Sequence, residues 1–587
     1  MPYRFSISTS PLLALPLSLC LSSCLTPVYK NRADKDVYGL LESANQFALN
    51  EENQEFTIDT PISDLKPTDL SSDDILKERS STEEFKLSID KALTLAVDSS
   101  RTYQDEKEDL YLTALTLTGE KHVFRPQFFA GATGTRSWLP GSRDVSTPPT
   151  AEEFFTQRGT VNSNIGLNQA LLTGGDIGIN IANDLLRFYT GDSRRSALSA
   201  ITANLTQPLL RGAGRKVAAE RLTQAHRNVI YAVRDFSHFQ NTFSNDIVIQ
   251  YFRLLQQKDT VYNQFANYES RIDSTEYLRA RAVDRAKPLD VSSAELDQLE
   301  AKNAYIGAVV SFNNATDQFK IALGLPTSTK LVLDDAELEK LREAGPLPLF
   351  VDPPKGFKIA LENSLPLIND IDRYEDAQRQ VAIAADALKP GLDFFANASL
   401  PSDGGPLDYT RFNSSDVTTN LGLALDLPLN KTVERNNLRA TQVQFETAAR
   451  SLGLTFDQLR NSIDQSIRQL SASRQSYVIS KNSLALAVKQ VEGARLQLEA
   501  GTVLFSILQD AQTALVNAQN EVTSSLVDYL EIRLGLLIDL GILDTRENFW
   551  LQADASRIDL SVPPAGTLPD SFLEGEEIIP PDTLFSQ

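Results

Sequence analysis

Apolar and polar positions along this chain follow two periods. In the run 161–171, Val161, Ser163, Ile165, Leu167, Gln169 and Leu171 share one face, while Asn162, Asn164, Gly166 and Asn168 share the other. The run 417–427 repeats the alternation, with Val417, Thr419, Leu421, Leu423, Leu425 and Leu427 opposed to Thr418, Asn420, Gly422, Ala424 and Asp426. A period of two predicts strands. The small polar face suits the solvated side of a sandwich in water or the water side of a membrane barrel with its apolar face toward lipid. Shorter strand-like runs precede them at 125–130 and 389–396, around Pro126 and Pro390.

Helical periodicity fills most of the remainder. One pattern begins at Phe85 and runs to about His122; a matching one begins at Phe357 and runs to about Leu388. After the strands of each half comes a run without proline, 214–273 and 433–499. At about 1.5 Å per residue these are rods of roughly 90–100 Å, far beyond an ordinary globular helix. Further helices are predicted at 289–323 and 502–540, so that the two shorter helices of each half together match one rod. Two short helices stacked end to end beside a continuous long one is the economical packing, and seams rich in Ala, Ser, Gln and Asn allow close approach. The first half carries something extra: alternating runs at 177–185 and 200–205, after a tight turn at Leu172-Thr173-Gly174-Gly175-Asp176. The pattern does not say on which side of a sheet this pair adds.

Charge narrows the partners. The 587 residues carry a net charge of -21, which repels phosphate backbones and argues against nucleic acid. At the N-terminus, Arg4 precedes an apolar run over 5–21 and then Leu21-Ser22-Ser23-Cys24, the pattern of a secretory signal. That tetrapeptide is similar to a bacterial lipobox, which implies cleavage before Cys24, acylation of Cys24 and loss of Cys20; a plain signal peptide with incidental cysteines is the other reading. Leu25 carries no aspartate of the inner-membrane-retention kind, pointing outward. Beyond the signal no apolar run approaches the ~20 residues of a membrane-spanning helix. The stretch 31–81 is polar, with Pro61 and Pro67, and is expected to be an extended or loosely packed leader.

No catalytic set emerges. His226 and His238 lie about 18 Å apart along one rod, too far for a shared metal, and Thr173-Gly174-Gly175-Asp176 lacks the lysine and spacing of a phosphate loop. No enzyme activity, metal or cofactor is expected.

Leu205-Thr206-Gln207-Pro208-Leu209-Leu210-Arg211-Gly212-Ala213-Gly214-Arg215, Ala286-Lys287-Pro288-Leu289-Asp290-Val291 and Gly501-Thr502-Val503-Leu504-Phe505, together with Leu323-Gly324-Leu325-Pro326, resemble motifs of the bacterial outer membrane efflux protein family. These are the outer membrane factors of tripartite pumps and type I secretion systems. The likeness spans about 85–543. It implies a mixed fold: a β-barrel in the outer membrane shared by a homotrimer, continued by a long periplasmic α-helical barrel of coiled-coil type, with an internal two-fold repeat in each chain. The usual member donates four strands, so the extra pair leaves the strand count open. The implied role is a passive exit channel for drugs, other small molecules or proteins. Its partners would be a periplasmic membrane-fusion adaptor, an inner-membrane pump of resistance-nodulation-division or ABC type, and outer-membrane lipid.

The resulting domain expectation is a lipoprotein signal peptide at 1–23, a linker at 24–84, first and second repeats at 85–326 and 356–543, an inter-repeat linker at 327–355 and an acidic Pro-rich tail at 544–587. Pro208, Gly212 and Gly214, with Pro428 in the second half, are expected at strand-to-helix conversions. The resemblance places Lys287, Pro288, Leu289, Gly501, Thr502, Val503 and Leu504 at periplasmic tips that meet the adaptor, ordinary interhelical turns being the bland alternative. It places Ile507 and Asp510 where some members carry paired gate aspartates; only the second acid is kept here. From another functional class, a periplasmic coiled-coil adaptor or scaffold lipoprotein would carry the same strands as a small soluble sandwich.

Overall fold

The computed structural model describes residues 26–49, 56–63, 65–66, 68–80, 84–139, 156–188, 195–282, 288–403, 410–545, 548–552 and 560. In chain order its elements are α1 (Thr26–Leu49), α2 (Ser72–Arg79), β1 (Glu84–Leu87), α3 (Ile89–Ser99), α4 (Arg101–Val123), β2 (Gln127–Leu139), β3 (Thr156–Ala170), β4 (Asp176–Phe188), β5 (Arg195–Pro208), the single turn α5 (Arg215–Ala218), α6 (Glu220–Ala282), α7 (Pro288–Ala322), β6 (Lys330–Leu333), α8 (Ala336–Ala344), α9 (Pro353–Asn363), α10 (Leu365–Asp386), β7 (Gly391–Pro401), β8 (Thr418–Asp426), α11 (Thr432–Ala500) and α12 (Phe505–Asp539). They fall into two compact units. The first holds Met1–Phe56, Leu110–Val233 and Asp372–Ser451; the second holds Thr57–Asp109, Arg234–Ile371 and Leu452–Gln587.

The first unit contains a six-stranded sheet, ordered β2-β3-β4-β5-β7-β8, in which every neighbouring pair is antiparallel. The extra pair of the sequence is β4 and β5, and it lies inside the sheet between β3 and β7 rather than at an edge. Its strands outrun their apolar patterns because backbone pairing carries them through polar positions, as at Leu186 opposite Ser196. The outer pairs β2/β3 and β7/β8 are built alike. Phe129 lies opposite Gly166, and Phe395 opposite Gly422. Each ring covers its glycine: a Cβ on Gly166 would stand 2.4 Å from Phe129 Cζ and 2.8 Å from the Ile179 carbonyl, while a Cβ on Gly422 would stand 2.4 Å from Phe395 Cζ. An aromatic laid over a bare glycine pins register in a way that alternation alone does not.

The leader is not simply extended. Within the first unit, 26–49 is a helix with Val37 and Leu41 buried, the Tyr111 hydroxyl donating to Asp34 at 2.7 Å, and Tyr38 edge-on to Tyr111 and Phe56. Composition marks this stretch as polar, and only a partner remote in sequence supplies the apolar contact that fixes it.

The second unit corrects two further expectations. Phe85 does not begin a helix: 84–87 is a strand, parallel to Lys330–Leu333 in the supposed inter-repeat linker, with the buried Tyr251 hydroxyl donating to the Leu87 carbonyl at 2.9 Å. Each helix predicted ahead of the strands is also two helices, broken at Ser100 and at Ser364. The reason is a close backbone approach. Gly324 after α7 and Gly541 after α12 are left-handed (φ 77° and 72°), and a Cβ there would stand 1.9 Å from the Ser99 carbonyl and 2.4 Å from the Asn363 carbonyl, respectively. Both helix ends close with the amide just after the glycine reaching back, Leu325 to Lys320 O at 2.8 Å and Ile542 to Leu537 O at 3.0 Å. A glycine-capped helix end seated on a broken helix thus occurs twice. The core around these seats gathers Leu87, Ile89, Tyr251, Phe252, Phe319, Leu534, Leu537 and Trp550. No helix among the described residues is long and apolar enough to cross a membrane.

The aromatic–glycine pairs separate two kinds of overpacking. Gly422→Ala is expected to destabilise the sheet by about 1–3 kcal/mol, and Phe395→Leu in the same chain to restore most of that loss. Gly166→Ala meets backbone as well as a ring, so Phe129→Leu should restore little; denaturation midpoints of the four variants in detergent measure the contrast.

Candidate functional site

The sheet of the first unit sorts chemistry by row. One row across all six strands reads Phe128, Leu167, Ile179, Ala203, Ala398, Thr419, and a second on the same face reads Ala130, Ile165, Ile181, Ile201, Leu400. Between them in height, on the opposite face, lie Phe129, Gly166, Asn180, Thr202, Ser399 and Thr418. A neighbouring row on that face is more polar still: Gln127, Asn168, Gly178, Asn204, Asn397 and Asn420. Ile165, Ile179, Leu421, Leu423 and Leu425 are exposed in the single chain. A sheet with one carboxamide-rich face and one exposed apolar face has the surface of a wall between water and hydrocarbon.

Pro208 at the end of β5, Gly212 and Gly214 between β5 and α6, and Pro428 between β8 and α11 lie where the structure brings the two halves together. Pro208 is the last residue of β5, opposite Asp393, and the Leu209 amide makes one more bond, to the Leu392 carbonyl at 2.7 Å. The chain then turns through Gly212 and Gly214, at φ 76° and 90°. In the second half Pro428 follows β8, and Asn430 turns the chain by accepting from the Thr432 amide at 3.2 Å. Arg211 pairs with Asp426 at 2.9 Å. Both side chains are substantially exposed, so this pair aligns the halves more than it stabilises them.

Asp386 is the stronger tie. It is buried at the end of α10, accepting from the Gly212 amide at 2.7 Å and from Lys389 at 2.5 Å. A carboxylate at a helix C-terminus opposes the helix dipole, and this one is held by two local donors. Burial pushes its carboxyl up, but Lys389 and the Gly212 amide outweigh burial and hold it below the usual carboxylate range. A few turns along α6, Arg227 meets Asp372 at 3.1 Å and Asp376 at 2.5 Å, while Arg379 meets Glu220 and Asp376, each at 2.9 Å. Burial, with further help from Asp376, pushes the Tyr231 hydroxyl up to about 12, against the opposing pull of Arg227. The hydroxyl therefore stays protonated and donates to Asp376 at 2.8 Å.

In the second unit, the turn between α11 and α12 is closed by Gly501 at φ 76°. Its amide reaches Leu498 O at 3.0 Å, and the Thr502 amide reaches Gln497 O at 3.0 Å. Beneath it Leu278, Ala294, Ala494, Leu498, Phe505 and Leu508 form a small core, with Val503 packed against it. Leu289 and Leu504 remain outside, 73% and 66% exposed, and Pro288 opens α7. Ile507 and Asp510 share a groove of about 550 Å³ with Gln490, Gly493, Gln497 and Ala514. Against α12, Arg271, buried toward the C-terminal end of α6, pairs with buried Asp297. It also donates to Gln509 O at 3.1 Å and Thr513 Oγ1 at 2.9 Å. Burial lowers the Arg271 guanidinium, offset in part by Asp297 and then Asp510.

Lys287 and Cys24 lie outside the described residues, as does the acidic tail beyond 560. Among the described residues no cluster of three His, Cys, Asp or Glu side chains is arranged for a metal ion. Arg271 and Asp297 were invisible because nothing in helical spacing pairs them. Asp386 did leave a trace, an acid in the last helical turn with a lysine three residues on.

Two measurements follow. A depressed carboxyl contributes stability that is present above its unfolded value near 4 and lost as pH falls through the folded one. Asp386→Asn should therefore cost about 1–2 kcal/mol near neutrality and flatten the acid limb of a stability-versus-pH curve. Asp297→Ala strands a buried guanidinium and should cost about 3–5 kcal/mol, whereas Arg271→Met with Asp297→Leu should recover most of it; denaturant unfolding separates the two.

No protein-family model matches the chain. The Outer membrane protein TolC of Escherichia coli (strain K12) is 24% identical over 313 residues, covering 48% of this chain and 61% of that protein, so less than two thirds of the relative's length is spanned. The outer membrane protein VceC of Vibrio cholerae is similar in structure with a TM-score of 0.54 at 15% identity, over 77% of this chain and 96% of that one. The CmeC outer membrane channel of Campylobacter jejuni gives a TM-score of 0.55 at 13% identity, over 77% and 85%. At these identities the structural likeness is one of fold. This chain resembles TolC in sequence over about half its length and shares its fold with the outer membrane protein VceC and the CmeC outer membrane channel.

Proposed function

We propose that this chain is the outer-membrane exit duct of a tripartite efflux or type I secretion machine. Three copies close their sheets into one barrel, and the long helices of the three line a periplasmic tunnel. The observation that carries this reading is the two-faced sheet whose edge strands run in opposite directions. β2 and β8 are separated by an odd number of antiparallel steps, so β8 of one copy meets β2 of the next antiparallel. Copies arranged head to tail around an axis then leave no edge open to hydrocarbon. We read the chain as two repeats, 85–326 and 356–543; the recurring aromatic–glycine pair and the recurring glycine seat at a helix break support that division.

In this reading transport is passive. Energy and selection come from a periplasmic adaptor and an inner-membrane pump of resistance-nodulation-division or ABC type, and the chain makes and breaks no bonds in its cargo. The exposed Leu289 and Leu504 at the helical turns are the adaptor contacts, together with Lys287. Acylation of Cys24 adds a lipid anchor in the outer membrane. Ile507 and Asp510 face the tunnel, where a ring of Asp510 carboxylates favours cations by its local potential.

Reconstitution into a planar bilayer tests this. The purified protein should give stepwise conductance with cation preference, and Asp510→Ala should shift the reversal potential in a salt gradient toward zero. A water-soluble single copy that conducts no ions defeats the duct, whereas an unchanged reversal potential in a conducting Asp510→Ala channel removes only the gate assignment.

A further inference from the structure

The hairpin β4–β5 divides the sheet into parts that resemble each other. Without it, the first unit would hold β2/β3 and β7/β8, each pair with its aromatic over glycine. Three observations treat the hairpin as an addition to the wall. First, the end of β3 and the end of β5 carry similar sequences, identical at five of eight positions: Leu167-Asn168-Gln169-Ala170-Leu171-Leu172-Thr173-Gly174 is echoed by Leu205-Thr206-Gln207-Pro208-Leu209-Leu210-Arg211-Gly212. Second, the two ends touch. The Gly214 amide donates to Thr173 O at 2.9 Å, the Thr173 hydroxyl donates to Gln207 Oε1 at 2.7 Å, and a Cβ on Gly174 would stand 2.5 Å from Gly212 O. Third, β3 and β5 run in the same direction, so either can pair antiparallel with β7.

The hairpin also has the two faces of a wall. Ile177, Ile179, Ile181, Ile201, Ala203 and Leu205 continue the apolar side; Gly178, Asn180, Thr202 and Asn204 continue the carboxamide side. A plug or a cover would bury one face against the sheet. Here both faces stay in register with the neighbouring strands, and Ile179 and Ile181 remain exposed.

We infer that β4–β5 is a widening insertion in the channel wall, so that each copy supplies six strands and the barrel bore at membrane level takes compact polypeptide rather than only small solutes. This rests on the ring of three copies proposed above, which then has eighteen strands instead of twelve. With strands about 4.8 Å apart and tilted about 40°, eighteen strands close a ring about 36 Å across the backbone, against about 24 Å for twelve. Side chains reduce these to roughly 24 Å and roughly 12 Å of clear bore, and an α-helix with its side chains measures about 10–12 Å. The narrower ring passes one helix at most; the wider one passes a helical hairpin.

The test pairs the intact protein with a variant lacking residues 173–210, in which Leu172 runs directly into Arg211 and retains the Gly212–Gly214 turn. Projection images of the intact particles down their symmetry axis should show a barrel about 36 Å across. In bilayers, neutral polymers added on the barrel side should enter the intact channel up to about twice the radius that enters the shortened one. A conducting ring only about 24 Å wide, or equal polymer cut-offs in both proteins, overturns the widening and leaves the duct standing. An intact protein that forms no ring and no channel overturns the duct itself. If the shortened chain does not assemble, the diameter of the intact ring alone decides.

Discussion

The structure turns on backbone hydrogen bonds that one copy cannot complete. In a single chain the sheet stops at β2 and β8, whose outer edges pair with no other strand among the described residues. In water such edges are a hazard for aggregation, and in hydrocarbon each unpaired group costs several kcal/mol. The apolar face of the same sheet, with Phe128, Ile165, Leu421, Leu423 and Leu425 exposed, has the same difficulty from the other side: it is comfortable only against lipid or another apolar surface. In the ring proposed above, edge-to-edge closure answers the first demand and surrounding lipid the second.

What holds the strands to the helices is a short list of specific ties rather than a large core. At the conversion from β5 to α6, a buried carboxylate, Asp386, fixes the amide of Gly212, while the exposed Arg211–Asp426 pair adds alignment but little energy. In the second unit the same economy is seen in backbone form. Gly324 and Gly541 let the ends of α7 and α12 sit directly on the carbonyls of Ser99 and Asn363. These contacts stop one helix and start another, which is why the helices ahead of the strands are jointed while α6 and α11 run unbroken.

Polar groups inside the helical packing follow a harsher rule. Arg271 and Asp297 are buried together, and such a pair is weak evidence for stability because desolvation offsets most of the attraction. What the pair does do is fix relative position: Arg271 reaches Asp297 on α7 and Gln509 and Thr513 on α12, holding three helices at the groove that contains Asp510. The Asp510 carboxylate on that groove therefore stands on a frame set by a buried cation.

The chain's own pattern determined the element types: the alternation at 161–171 and 417–427, the two proline-free rods, and the turns at Pro208, Gly212, Gly214 and Gly501 all stand where their residues place them. These are local properties, set by side-chain period and by the φ that proline and glycine permit. Tertiary structure alone decided that 84–87 is a strand, that 26–49 is a helix, that β4–β5 lies within the sheet, and that Arg271 faces Asp297. Each depends on a partner far away in sequence, such as Lys330–Leu333 for β1 or Tyr111 for α1. No local period records such a partner, because the free energy of the contact exists only after the chain has brought the two segments together.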